Sequence, residues 1–137
     1  MIYLQDIDIT PDRHTPTISV YPNRCVISGS GCQLLQLSDS SPRVRVKSDL
    51  DNRGRLYISR SNNDSGYYTT GRKHGITRRI NSAAFSRKLA ELLEGYGTYK
   101  ICEDSSVIDG SGVTNYELFF RKCRTIRSYT RDNQTDK

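Results

Sequence analysis

Thr17-Ile18-Ser19-Val20-Tyr21, the turn Pro22-Asn23 and Val26-Ile27-Ser28 read as two strands joined by a tight turn, because apolar and polar residues alternate on both sides of turn chemistry. A short apolar stretch around Leu34, Leu35 and Leu37 follows, then Val44-Arg45-Val46-Lys47 and Leu56-Tyr57-Ile58. The same order of elements recurs downstream. Tyr67-Tyr68-Thr69-Thr70 and Ile76 to Ile80-Asn81 precede a longer stretch around Phe85, Leu89, Leu92 and Leu93, and then come Thr98-Tyr99-Lys100-Ile101 and Tyr116-Glu117-Leu118-Phe119-Phe120. Ile27 aligns with Ile80, Val46 with Ile101 and Ile58 with Leu118, with insertions confined to loops. Two copies are too few for an open solenoid. The pattern therefore predicts an α+β fold of internally duplicated βαββ-type units, with a β-rich core and one principal helix in the second copy.

Residues 1–16 are expected to form an N-terminal strand and turn, 17–60 a first repeat unit, 61–66 a connector, 67–120 a second repeat unit and 121–137 a basic C-terminal tail. Within the first unit, Ser28 offers a cap for a helix of about two turns, and Asp51-Asn52-Arg53-Gly54 signals a hairpin. In the second, Asn81 or Ser82 caps a helix over 83–94, whose apolar face carries Phe85, Leu89, Leu92 and Leu93. Residues 103–113 read as a long hairpin loop, and after Phe120 the apolar pattern fades into a frayed tail.

At 137 residues the chain has the length of one ordinary domain, or of two small subdomains sharing a core. A hydrophobic share of 34% and a mean hydropathy of −0.68 are lean, yet the apolar residues fall in periodic blocks, unlike those of a disordered chain. No basic leader with an apolar run opens the chain, and no window approaches the roughly 18 apolar residues of a membrane helix. A soluble, cytoplasmic protein with no membrane role is expected. Cys25, Cys32, Cys102 and Cys123 form no CxxC pair, so reduced structural thiols are the expectation, and no cofactor or metal is predicted.

The net charge of +6 is unevenly placed. Between Asp64 and Glu91 no residue is acidic, while Arg72, Lys73, Arg78, Arg79, Arg87 and Lys88 are basic. A second basic stretch begins with Arg121, Lys122 and Arg124. Such patches attract polyanions, because every neutralised phosphate releases condensed counterions. Tyr67 and Tyr68 add aromatic rings beside the first patch, suited either to stacking on bases or to cross-strand packing.

The run Ile18-Ser19-Val20, Pro22-Asn23-Arg24, Val26-Ile27-Ser28, a short helix ending at Leu37, Arg43-Val44-Arg45-Val46 and Gly54-Arg55-Leu56-Tyr57-Ile58 resembles the AbrB/MraZ swapped-hairpin family. The family's Gly-Arg-Ile-Val-Ile-Pro run stands here as Asn23-Arg24-Cys25-Val26-Ile27-Ser28, with Arg24 and Ile27 at matching positions. The resemblance implies a small β-rich DNA-binding fold, typically dimeric, of the kind used by transition-state regulators and antitoxins.

These readings predict a non-enzymatic nucleic-acid-binding protein, a transcriptional regulator or antitoxin-like factor, whose partner is DNA or RNA. Its contacts are Arg24, Arg72, Lys73, Arg78, Arg79, Arg87, Lys88, Arg121, Lys122 and Arg124. The rival expectation is a protein-interaction or assembly module with a protein partner or a second copy of the chain. A nuclease built on His74 is the weakest reading, since no carboxylate lies within its basic window to complete an acid–base pair.

Overall fold

The structure is a computed structural model that describes residues 15–49, 54–62, 64–71 and 76–123. Along them run β1 (Thr17–Tyr21), β2 (Arg24–Ile27), α1 (Gly29–Leu35), β3 (Arg43–Ser48), β4 (Leu56–Arg60), β5 (Tyr67–Tyr68), β6 (Thr70–Gly71), β7 (Arg78–Ile80), α2 (Ala83–Leu92), β8 (Gly97–Ile108) and β9 (Thr114–Leu118). The strands make one antiparallel sheet in the order β5-β3-β4-β9-β8-β1-β2-β7-β6. Its two outermost strands are neighbours in the chain, separated by Thr69 alone. The run 67–71 therefore leaves β3 and joins β7, drawing the ends of the sheet together into a nearly closed barrel.

Alternation explains the barrel's inside. Ile18 and Val20 of β1 face Ile27 and Cys25 of β2, while Ile58, Ile80, Tyr99, Ile101 and Leu118 come from four further strands. All are essentially sealed from solvent. Burying each large aliphatic side chain contributes about 1.5–3 kcal/mol, and a curled sheet lets one apolar face bury itself against itself. Tyr99 is the largest of the fully buried side chains, and its hydroxyl is satisfied by Gly95 O at 2.5 Å.

The α+β expectation of duplicated βαββ-type units is corrected by this architecture, which is β-rich. An α+β unit needs a helical layer long enough to cover a sheet face. The two helices among the described residues have 7 and 10 residues, too short to cover a sheet of nine strands. The two similarly written stretches interleave instead of standing as separate sheets: β1 pairs with β8, β2 with β7, β3 with β5 and β4 with β9.

Both helices start on serine caps. The Ser28 hydroxyl accepts from Gly31 N at 3.0 Å and also from Thr17 N at 2.9 Å, tying α1 back to β1. Ser82 accepts from Phe85 N at 3.1 Å, and α2 lays Phe85, Ser86, Leu89 and Ala90 against β1 and β2. The expected loop over 103–113 is largely strand: β8 continues to Ile108, with a register shift between Cys102 and Ser106. The turn after it is held by Asp109, whose carboxylate accepts from Ser111 N, Ser111 Oγ, Val113 N, Asn115 Nδ2 and Lys47 Nζ at 2.7–3.1 Å. The N-terminal strand expected over 1–16 lies outside the described residues except for Thr15 and Pro16. No helix among the described residues is long and apolar enough to cross a membrane.

Candidate nucleic-acid interface

Strand parity decides which basic side chains reach solvent. With Ile18, Val20, Cys25, Ile27, Ile80, Tyr99 and Ile101 inside, their alternates Ser19, Tyr21, Arg24, Val26, Arg79, Thr98 and Lys100 belong to the outer face of β7, β2, β1 and the first half of β8. The register then sets them in rows. One row runs Arg79, Val26, Ser19, Thr98, with the Ser19 and Thr98 hydroxyls 2.8 Å apart. The next begins with Asn81 beside Arg24, continues to Tyr21 and, one residue beyond the Val20–Gly97 pair, reaches Tyr96.

Arg24 and Arg79, far apart in sequence, are thus diagonal neighbours on one surface. The Arg24 guanidinium lies 4.7 Å over the Tyr21 ring, and its Nη1 donates to Asn23 Oδ1 at 3.3 Å. The Nε atoms of both arginines are buried and have no hydrogen-bond partner among the described residues. An unsatisfied buried donor costs about 1–3 kcal/mol, more when it is charged. An oxyanion delivered to this face would meet the Nη donors of the same guanidinium groups, which form short, charge-assisted hydrogen bonds.

After β9, residues 119–123 run beside the start of β8 without forming strand. Phe119 N donates to Lys100 O at 3.0 Å and Cys123 N to Thr98 O at 2.8 Å, while Lys122 N is caught by the Glu94 carboxylate at 3.1 Å. This path carries the backbone of Arg121 and Lys122 along residues 94–100, with the Glu94 carboxylate beside Lys122. The Arg121 guanidinium sits 5.5 Å from the Phe120 ring centroid, and the Phe119 and Phe120 rings are 5.4 Å apart and tilted by 45°.

Among the described residues, Arg24, Arg79, Lys100, Arg121 and Lys122 form no ion pair, and no acid projects outward from β7, β2, β1 or residues 97–100. On the side carrying β3, β4 and β9, Lys47 is bound to Asp109 at 2.7 Å and Arg55 lies near Glu117 at 3.8 Å, while Arg43, Arg45 and Arg60 form no ion pair among the described residues.

The other sequence-derived contacts distribute differently. Arg78, one residue from Arg79, has the opposite parity and points inward: its Nε donates to Thr69 Oγ1 at 2.8 Å, its Nη2 to Thr69 O at 3.0 Å and its Nη1 to Asp39 at 3.1 Å. It clasps the strand that closes the barrel. Arg87 and Lys88 stand on the solvent side of α2, opposite the side packed on β1 and β2. Arg72, Lys73, His74 and Arg124 lie outside the described residues. Tyr67 packs on Phe85, with centroids 4.3 Å apart, and Tyr68 lies under Arg43 at 5.5 Å, so both belong to the barrel seam.

Sequence reasoning missed Tyr21, Tyr96 and Lys100. For Tyr21 the signal was present, because a two-residue turn after it must set it opposite Arg24. The Ser28 hydroxyl, in the Gly-Ser stretch, is committed to capping and to β1. The four cysteines are free thiols. Burial pushes the Cys25 thiol up to about 11 despite a hydrogen bond with Ser86, so it stays protonated beneath α2. No protein-family model, curated protein or solved structure matches the chain.

Proposed function

We propose that this chain is a non-enzymatic nucleic-acid-binding protein that holds the sugar-phosphate backbone of DNA or RNA on the outer face of β7, β2, β1 and β8. The observation that carries this reading is the meeting of Arg24 and Arg79 on the outer surface of β7, β2 and β1, strands that carry no acid. Arg121 and Lys122 follow β9 along residues 94–100, beside the Glu94 carboxylate, and are included in the reading as further basic residues. The resemblance to AbrB/MraZ regulators, in which Arg24 holds a matching position, supports the same function, that of a transcriptional regulator or antitoxin-like factor.

A protein-interaction role is the second reading, favoured by the arm that β8 and β9 form beyond the barrel. There Val107 and Ile108 are 51% and 69% exposed, and β1 accompanies β8 no further than Lys100. An adhesive strand edge of that kind suits a protein partner.

The two readings separate on charge reversal. Fluorescence anisotropy with labelled oligonucleotides at low salt should show Arg24→Glu/Arg79→Glu weakening binding on the order of ten-fold or more, through loss of two phosphate contacts and like-charge repulsion. Arg45→Glu, an exposed reversal on β3, should change it less than about two-fold. Equal effects of the two variants, or no binding by the wild-type chain, would remove the outer face from the function.

A further inference from the structure

Arg43 and Arg60 line one cleft of about 410 Å³, formed by the loop 40–42, the end of β4 with the turn after it, and β5; Asn62, Asp64 and Tyr68 line it with them. None of these residues belongs to β7, β2 or β1, so the cleft stands apart from the nucleic-acid face. Both guanidinium groups are held by neutral partners. Arg60 donates from Nη1 to Gln36 Oε1 at 3.3 Å and from Nη2 to Asn62 Oδ1 at 3.2 Å. Arg43 donates from Nη1 to Gly66 O at 3.2 Å and lies over the Tyr68 ring, 5.5 Å from its centroid. Amides, a carbonyl and a ring fix the two cations without neutralising them, and neither forms an ion pair among the described residues. Gln36 holds Arg60 from a backbone position that suits glycine. It ends α1 at φ +59°, and no other described residue except glycine has a positive φ. A glycine there would relieve the backbone but leave Arg60 Nη1 without its partner.

From this arrangement we propose that the cleft binds a nucleoside monophosphate group, with the phosphate on Arg43 and Arg60 and the base against Tyr68. Two guanidinium groups against one carboxylate, Asp64, leave a net positive cleft among the described lining residues. A phosphate monoester carries about −1.5 to −2 charge at neutral pH and accepts forked hydrogen bonds from arginine. Tyr68 is 54% exposed and offers the flat group a stacking surface, which an inorganic anion does not use. The cleft's volume falls within the range of small-ligand sites, roughly 300–1,000 Å³.

The test is an NMR titration of the full chain with adenosine 5′-monophosphate, adenosine and inorganic phosphate. The monophosphate should bind more tightly than either half on the order of ten-fold or more. Arg43→Gln/Arg60→Gln should weaken it on the order of ten-fold or more, and Arg87→Gln, a solvated charge on α2, less than about two-fold. Tyr68→Ala should lose the advantage over inorganic phosphate while phosphate still binds, and Tyr68→Phe should keep it. Gln36→Gly should weaken nucleotide binding without lowering the thermal unfolding midpoint, an outcome that a merely structural role for Gln36 does not give. Displacement of the nucleotide by a 5′-phosphorylated dinucleotide and not by its 5′-hydroxyl form would assign the site to a strand end; displacement by neither would assign it to a free nucleotide. No binding of the monophosphate at millimolar concentration, equal affinity for inorganic phosphate, undiminished binding by Arg43→Gln/Arg60→Gln, or displacement by the 5′-hydroxyl form would overturn the proposal.

Discussion

Arg78 and Arg79 are adjacent and chemically identical, yet the barrel assigns them opposite work. Arg78 is 10% exposed in its side chain and places three guanidinium nitrogens on Thr69 and Asp39. Thr69, fully buried, also donates from its amide and hydroxyl to Pro42 O, at 2.8 and 2.6 Å, so Arg78 locks the residue at which the sheet passes from one edge to the other. Arg78→Ala should therefore cost on the order of 3 kcal/mol in urea unfolding, since buried groups on Thr69 lose a charged donor. Arg78→Lys should not restore it, because a point charge cannot form the fork. Asp39→Asn should cost less than about 1 kcal/mol, its carboxylate being almost wholly exposed. Basic runs in sequence group Arg78 with Arg79, and only the pairing of β7 with β2 separates them.

Asp109 works at the same scale by a different principle. The ammonium of Lys47, then the Ser111 hydroxyl, the Asn115 amide and the Val113 N–H hold its carboxyl well below the usual carboxylate range. A carboxyl whose folded pKa is depressed contributes stability that is present above the unfolded value, near 4, and is lost as pH falls below it. Thermal unfolding should therefore show the wild-type chain losing stability as pH drops from about 5 toward 2. Asp109→Asn should be less stable than the wild type at neutral pH and should lack that part of the acid decline.

Among the elements, strands were legible wherever apolar residues alternate: β1, β2, β3 and β4 appear where Ile18, Val26, Val44 and Ile58 placed them. α2 was legible too, because Phe85 and Leu89 mark one face and Ser82 caps it. The second half of β8 was not. Glu103, Asp104, Ser105 and Ser106 have loop composition, and they extend because β9 pairs with them across a bulge and Asp109 fixes the turn beyond. The closing strand was equally hidden, since two residues on β3 and two on β7 leave no period to read. Its entry depends on Gly66, whose φ is +94° and where a Cβ would lie 2.5 Å from Val44 O. Gly66→Ala should cost on the order of 3 kcal/mol through strain at that backbone. Gly110→Ala, where a Cβ meets nothing within 4 Å, should be nearly neutral in the same unfolding assay.

For the molecule as a whole, closure of the sheet sorts a list of basic residues by face, bringing Arg24 and Arg79 together on one outer surface. Arg24 and Arg79 were legible as basic residues, but their meeting depends on the pairing of Cys25 with Ile80 and Val26 with Arg79, a contact between distant segments that local composition does not encode. Lys100 was hidden for the same reason, since the β1–β8 pairing that sets it on this surface also joins distant segments. The acids that pair with Lys47 and Arg55 come from the turn after β8 and from β9, and none lies on β7, β2 or β1.

The most direct test of that surface is the slope of log affinity against log salt for single-strand binding, measured for the full wild-type chain and for Arg24→Ala/Arg79→Ala. If these two arginines hold phosphates, the wild type binds with a negative slope and the variant's slope is shallower by about 1.4, two phosphates at roughly 0.7 each. Identical slopes, or wild-type binding indifferent to salt, would contradict the account.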